Sequence, residues 1–193
     1  ILIMRATRSL AAFADAGAVI LAACAAMVAS GFASAQDAPL EFAVKATFVY
    51  KFADYVEWPA GTFAKPTDPL VLCVVGLDPV SALIDEVASA RRAGDRPVVV
   101  RHVPAAARDA GCHILYLAAG REGVAAEAVQ NIRGTPVLTI TDAATGGRAQ
   151  CVITFVIQDN RVRFEIDLDA AAQNRLQISS KLLNLAANVR QKP

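Results

Sequence analysis

Two histidines, His102 and His113, limit the acid–base chemistry that this sequence could perform. Cys112 directly precedes His113, and the pair suggests a cysteine nucleophile beside its base. Consecutive residues of a strand point to opposite faces of a sheet, however, so the two side chains cannot meet in a regular strand. No other spacing of Ser, His, Cys, Asp or Glu resembles a catalytic triad or a metal site. We therefore expect no enzyme activity, no metal and no cofactor.

A weaker signal indicates a small ligand. Parallel α/β sheets bind ligands beyond the carboxyl ends of their strands. Here that crevice would lie between residues 76–79 and residues 120–123, where glycines, a helix N-terminus and an arginine could hold a small anion. A ligand-binding protein is therefore the alternative function, although ordinary loop chemistry explains the same residues. The candidate ligand-binding residues are Gly76, Asp78, Gly120 and Arg121.

Charge excludes another class of function. The 193 residues include 19 Lys+Arg and 18 Asp+Glu, and the formal net charge is +1. A nucleic-acid-binding protein needs a basic face that replaces the phosphate counterions, so we expect no nucleic-acid partner. A hydrophobic share of 55% is also far from the composition of a disordered chain.

The elements that position these residues begin with helices and buried strands in alternation. Residues 40–56 have the three- and four-residue spacing of an amphipathic helix, which Trp58-Pro59 would end. The apolar run Leu70–Val75 predicts a strand that is buried on both faces. Further along we expect a helix from Pro79 to about Arg91, strands at 97–103 and 112–117, a helix at 124–132 and a strand at 137–140.

The pattern changes after Asp142. Residues 151–157 and 161–167 read as two strands joined by a short hairpin. A helical turn at 168–174 follows, and then a last amphipathic helix that begins near Ser179 or Ser180 and continues through Val189. The predicted fold is α/β, with a mainly parallel sheet, an antiparallel hairpin at one edge and helices on both faces.

Residues 1–35 have the features of a secretory signal peptide. Arg5 and Arg8 precede an uncharged stretch, and Ala33-Ser34-Ala35 forms a small-residue cleavage site. We expect cleavage after Ala35, a single domain over residues 36–193, and a periplasmic location for either function. An uncleaved membrane anchor is one alternative. A lipoprotein modified at Cys24 is another, although the residues after Cys24 stay apolar where a lipoprotein turns polar.

Beyond the signal segment the cysteines are Cys73, Cys112 and Cys151. With the strand order 2-1-3 of a doubly wound sheet, Cys73 and Cys112 lie in neighbouring strands within bridging range, which favours a disulfide in an oxidising compartment. Three buried thiols are the alternative. If Cys73 and Cys112 form the disulfide, Cys151 is the odd cysteine, either free or bonded to a second copy in a homodimer.

Trp58 is the exceptional aromatic residue. Aromatic side chains crowd the first predicted helix, and most of them suit the core. Trp58 lies at the end of that helix beside Glu57 and Pro59, where a partly exposed ring could contact a partner protein. Core packing is the alternative.

Five segments, taken in order along residues 40–190, resemble the YfiR family of small exported bacterial proteins. They are "FVYKFADYVEWP" at 48–59, "GCHILYL" at 111–117, "PVLTITD" at 136–142, "NRVRFEID" at 160–167 and "ISSKLL" at 178–183. The resemblance implies a periplasmic repressor that binds the periplasmic domain of an inner-membrane diguanylate cyclase and lowers cyclic di-GMP and biofilm formation. It also implies an outer-membrane lipoprotein that sequesters the repressor.

The same resemblance suggests roles for particular residues. Cys73 and Cys112 match the bridging pair of the family. A second, local pair near Gly146-Gly147 is not expected, since only Cys151 is present there. Glu165 in "RFEI" and the "ISSKLL" segment look like parts of the functional surface. Together with Trp58, these segments give the predicted partner-binding residues: Trp58, Glu165, Ser179, Ser180 and Lys181.

Overall fold

The computed structural model describes residues 37–89, 91–118, 123–143 and 149–191. By its contacts the chain divides into two units, Ile1–Ala38 and Pro39–Pro193, and the described residues belong to the second unit except for two. The predicted signal peptide lies outside the described residues. So do Gly120 and Arg121 of the predicted crevice, and Gly146-Gly147.

The chain enters the fold through helix α1, Asp37–Lys51. A 3-10 helix, Phe52–Tyr55, follows directly and leads into the short strand β1, Val56–Glu57. The prediction of one helix through Val56 is therefore wrong at its end. The backbone becomes extended at Val56 because β1 pairs with a strand from the end of the chain, which no local pattern announces.

Apart from the last predicted helix, the remaining predicted strands and helices are present with small shifts at their ends. In chain order the elements that follow β1 are β2 Leu70–Val75, α2 Pro79–Ala88, β3 Arg92–Ala93, β4 Arg96–His102, β5 Ile114–Leu117, α3 Val124–Ile132, β6 Leu138–Asp142, β7 Ile153–Gln158, β8 Arg161–Asp167, α4 Leu168–Gln173, β9 Gln177–Ile178, α5 Ser180–Leu183 and β10 Asn188–Arg190. The short strands β3, β9 and β10 were not predicted.

Eight strands form the main sheet in the order β10-β8-β7-β6-β5-β2-β4-β3. Five neighbouring strands are parallel to one another, in the order β4, β2, β5, β6 and β7 across the sheet. The pairs β7–β8 and β3–β4 are antiparallel. Asp159 and Asn160 both have positive φ in the two-residue turn of the β7–β8 hairpin, as a tight hairpin requires. The predicted α/β fold class is confirmed.

The hairpin is not the outermost pair of strands, which corrects one detail. The predicted helix from Ser179 to Val189 ends at Leu183, and β10 adds to the open side of β8 in parallel. The Ala187 N–H donates to the Phe164 carbonyl oxygen at 2.8 Å at the start of this pairing. The backbone groups of β8 thus gain partners that a helix would not have supplied.

Helices cover both faces of the sheet, as predicted. β2 leads through α2 to β4 on one side, and β5 leads through α3 to β6 on the other. Right-handed crossovers in opposite directions place α2 and α3 on opposite faces. The first face packs on α1, α2, α4 and α5, and its core includes Tyr116, Phe52, Phe155, Leu72 and Ile84. The second face packs on α3, and its core includes Leu115, Leu117, Ile132 and Cys73.

Candidate partner-binding surface

Two short strands bring distant segments together. β1 pairs with β9 in antiparallel register, so that Val56 lies opposite Ile178. The Ser179 N–H extends this pairing by donating to the Tyr55 carbonyl oxygen at 2.9 Å. The segment that contains Trp58 and the segment that contains Ser179, Ser180 and Lys181 are therefore neighbours in space.

Trp58 is half-buried and firmly held. Its indole Nε1 donates to the Pro136 carbonyl oxygen at 3.0 Å, just before β6 begins. Its ring meets Phe63 edge to face, with 5.9 Å between the ring centroids. Trp58 therefore lies at the amino edge of the sheet, where the parallel strands begin, and its ring is fixed before any partner arrives.

Beside Trp58 lies a cleft of about 400 Å³. Its lining is mostly apolar, with one acidic and one basic side chain: Ala53, Asp54, Val56, Trp58, Phe63, Leu70, Ala93, Gly94 and Arg96. The Asp54 carboxylate accepts from the Gly94 N–H at 2.9 Å. The Arg96 guanidinium lies 3.6 Å from the Phe63 ring centroid and donates to the carbonyl oxygens of Lys65 and Asp68. Such a lining suits the docking of a partner side chain.

His113 packs against Phe63, one of the residues that line this cleft. Its ring stacks on Phe63 with 4.3 Å between centroids, and its Nδ1 accepts from the Val71 N–H at 3.0 Å. Burial lowers the pKa of His113, and the nearby Arg96 charge acts in the same direction. Cys112 is bonded to Cys73, so no Cys112–His113 catalytic dyad exists. His113 is a packed, neutral ring.

The "ISSKLL" segment displays two of its polar residues. The Ser179 hydroxyl oxygen accepts from the Lys181 N–H at 3.3 Å and caps α5. Leu182 is buried in the core of the first face, whereas Ser180 and Lys181 are exposed. The antiparallel register places Trp58 beyond one end of the β1–β9 pair and Ser180 and Lys181 beyond the other. We call the surface that runs along this pair, from Trp58, Phe63 and Arg96 to Ser180 and Lys181, the amino-edge surface.

Glu165 lies apart from this surface. It is half-buried on β8, opposite Thr154 of β7, and its carboxylate is 3.9 Å from the Arg190 guanidinium. Its neighbours Phe164 and Ile166 point into the core of the first face. Because side chains alternate along a strand, Glu165 points to the other face, away from α5. The structure thus places the other four predicted partner-binding residues on the two segments that β1 and β9 join, and separates Glu165 from them.

A disulfide joins Cys73 of β2 to Cys112 at the entry to β5, with 5.7 Å between the Cα atoms. It staples two neighbouring strands of the sheet, as the strand order and the resemblance both suggested. Cys151 is a free, fully buried thiol. Burial raises the pKa of Cys151 to about 12, so it lacks the exposure and the thiolate character that a bond to a second copy would need.

At the carboxyl edge, where β2, β5 and β6 end, polar side chains bind one another. Both carboxylate oxygens of Asp78 accept hydrogen bonds: Oδ1 from the Ser81 N–H at 2.6 Å, and Oδ2 from the Tyr116 hydroxyl at 2.9 Å. The first of these bonds caps α2. Burial, followed by the Asp78 charge, raises the pKa of Tyr116. Of the predicted ligand-binding residues, Asp78 thus already accepts hydrogen bonds from Ser81 and Tyr116, and Gly76 is an exposed turn residue.

Lys45 and Asp142 form an ion pair at this edge that the sequence prediction missed. Lys45 of α1 is 2% exposed and Asp142, the last residue of β6, is 5% exposed. The Lys45 ammonium donates to the Asp142 carboxylate and also to Glu41 one helical turn earlier. A signal was present, because Lys45 falls at the same helical spacing as the apolar residues Phe42 and Val49.

Among the residues that the structure describes, no three His, Cys, Asp or Glu side chains are grouped so that they could hold a metal ion. No helix in the same part of the chain combines the length and the apolar character needed to cross a membrane.

The fold is that of a small disulfide-bonded α/β domain. Residues 42–187 match the sequence pattern of the YfiR/HmsC-like family. The chain belongs to this family. Membership supports a general role as a periplasmic regulator. No curated protein matches the chain.

Proposed function

We propose that the protein is a non-enzymatic periplasmic regulator that binds the periplasmic domain of an inner-membrane diguanylate cyclase and restrains its output of cyclic di-GMP. Biofilm formation would rise when this restraint is lost. The observation that carries the proposal is the β1–β9 pairing, which joins two distant segments that resemble the YfiR family. Family membership supports the regulatory role in general.

The amino-edge surface has the chemistry of a protein-binding hot spot. Trp and Arg are enriched among the residues that dominate binding energy, and here Trp58 and Arg96 border one apolar cleft. Both side chains already donate to backbone carbonyl oxygens, so little side-chain freedom is lost on binding. A partner side chain that enters the cleft would meet a prearranged wall.

Restraint of an enzyme requires a difference in affinity between its two states. A regulator that binds the inactive cyclase about 100-fold more tightly than the active one shifts the equilibrium by roughly 3 kcal/mol. Contacts of the kind seen at hot spots supply this amount with a few side chains. No catalytic group is needed.

The test uses a strain that lacks the gene and is complemented with variants. Deletion should raise cyclic di-GMP and surface attachment, and the wild-type gene should restore both. Lys181→Glu changes an exposed residue, and we expect it to weaken binding to the cyclase domain at least about tenfold and to fail in complementation. The matched control is Glu127→Lys, an equally large charge change on exposed α3.

Two results would count against the proposal. The first is a deletion strain with unchanged cyclic di-GMP. The second is full repression by both Lys181→Glu and a folded Trp58→Ala variant. Glu165→Gln forms a separate arm, because Glu165 lies on the other face and would report a second contact region.

The outer-membrane lipoprotein implied by the resemblance would act by competition. A lipoprotein that covers the amino-edge surface would release the cyclase, and its binding should then fail with the same Lys181→Glu variant. Retained lipoprotein binding by a variant that has lost cyclase binding would place the two partners on different surfaces.

A further inference from the structure

We infer that Lys45 and Asp142 are positioning residues for the amino-edge surface: their buried ion pair sets the register of α1 on the sheet and thereby the place of β1 and Trp58. The purpose of that surface rests on the proposed function. The coupling itself is a property of the fold and can be tested without a partner.

Stability alone does not account for this pair. Both residues are almost fully buried, and burying two charges costs so much solvation that apolar replacements of similar size are often neutral or stabilising. What an ion pair adds is direction, because an ammonium and a carboxylate meet at one position along the helix. Fixing register is the best-attested use of buried polar groups.

Elsewhere α1 and the 3-10 helix pack on the sheet through aromatic rings. Phe48 lies 6.4 Å from Phe164, and Phe52 lies 5.0 Å from Phe164 and 5.7 Å from Phe155, measured between ring centroids. Dispersion between apolar rings has little directionality and would tolerate small axial shifts of the helix. The Lys45–Asp142 pair removes that freedom at the carboxyl edge.

A shift of α1 would reach the amino edge, because no loop lies between them. α1 ends at Lys51, the 3-10 helix follows at once, and β1 begins at Val56. A slip of one helical turn would move β1 by about 5.4 Å, more than the spacing between neighbouring residues of a strand. The Val56–Ile178 pairing and the Trp58 hydrogen bond to Pro136 would both be lost.

The experiment compares two double variants of the full chain. Lys45→Met/Asp142→Leu removes both buried charges and keeps side chains of similar shape, a straight chain at position 45 and a branched one at position 142. The control, His102→Gln/Asp85→Asn, removes an exposed pair between β4 and α2. Trp58 is the only tryptophan, so its fluorescence reports directly on the amino-edge surface. Hydrogen exchange of the peptides at 53–59 and 176–182 reports on the β1–β9 pairing.

For Lys45→Met/Asp142→Leu we expect a red-shifted Trp58 emission and amide exchange about tenfold faster in β1–β9 than in the central strands, relative to wild type. The control should match wild type. Unchanged emission with unchanged β1–β9 exchange would overturn the inference, and so would an equal acceleration of all amides, which indicates general destabilisation. If the double variant does not fold, Asp142→Asn is judged by the same criteria. Failure of the cyclase proposal would leave these results as they stand.

Discussion

Removing the Cys73–Cys112 disulfide should destabilise the protein by a calculable amount. The two cysteines are separated by 39 residues. In the chain-entropy model, a closed loop of this length lowers the entropy of the unfolded chain enough to stabilise the fold by about 4 kcal/mol. The Cys73→Ala/Cys112→Ala variant also loses two sulfur atoms from the packed sheet. We therefore expect a loss of at least about 4 kcal/mol.

Urea unfolding followed by Trp58 fluorescence measures this loss. With a urea dependence of roughly 2–3 kcal/mol per molar, the midpoint should fall by about 1.5 M or more. The urea dependence itself should rise, because the unfolded chain without a crosslink exposes more surface. Wild-type protein unfolded with a reductant should match the variant.

Cys151→Ala is the control for this experiment. Cys151 is free and buried, so this variant should keep the full difference between oxidised and reduced midpoints. A midpoint shift below about 0.5 M for Cys73→Ala/Cys112→Ala would refute the reasoning. The native sheet would then be nearly as stable without its crosslink, and the chain-entropy model would overestimate the entropy that the crosslink removes from the unfolded chain.

Two further predictions concern pH. Burial lowers the pKa of Lys45, but the hydrogen bonds and charges of Asp142 and Glu41 together outweigh burial and raise the pKa above the ordinary value. The stabilisation by this ion pair is therefore complete below about pH 10 and is lost as the pH rises through the pKa of Lys45 in the folded state. Urea unfolding at several alkaline pH values measures this loss. Burial lowers the pKa of His113, so the unfolded chain binds a proton first, and stability should fall as the pH drops below about 6.5.

Each pH prediction has its own variant. In Lys45→Met the alkaline loss should be smaller than in wild type, although Cys151 and Tyr116, whose pKa values are raised by burial, still contribute to it. The midpoint at neutral pH should fall because the buried Asp142 loses its ion pair with Lys45, which costs about 3–5 kcal/mol. His113→Asn keeps an acceptor near the Nδ1 position and should flatten the acidic limb. An alkaline loss as large without Lys45 as with it, or an acidic limb that persists without His113, would assign the effect to other groups.

The parallel half of the sheet could be predicted because its signals are local. β2 is a continuous apolar run rich in β-branched residues, and α2 begins with Pro79 after a capping aspartate, so the local sequence indicates the type and place of both elements. β1, β9 and β10 have two or three residues each and no periodic pattern. Their conformation is set by partners far along the chain, which is why Val189 was predicted in a helix and is found in a strand.

The candidate site divides in the same way. Trp58 could be singled out from sequence because its residue type and position are unusual, and the YfiR-like segments indicated Ser179 and Lys181. The cleft could not be predicted, because Arg96 and Phe63 meet Trp58 only through the tertiary fold. Lys45 was missed for a different reason: a lysine is ordinarily solvated, so its place on the apolar side of the helix is a weak signal until its buried partner is known.

The carboxyl edge and the amino edge of the sheet carry different groups of side chains. In α/β proteins the carboxyl edge is the usual ligand site, because helix N-termini and loops converge there. Here Asp78 caps α2 and binds Tyr116, while Lys45 of α1 binds Asp142, so these polar groups, all in the part of the chain that the structure describes, bind one another. The half-buried Trp58, Phe63 and Arg96 lie instead at the opposite edge. Under the proposed function, a partner would therefore contact the amino-edge surface.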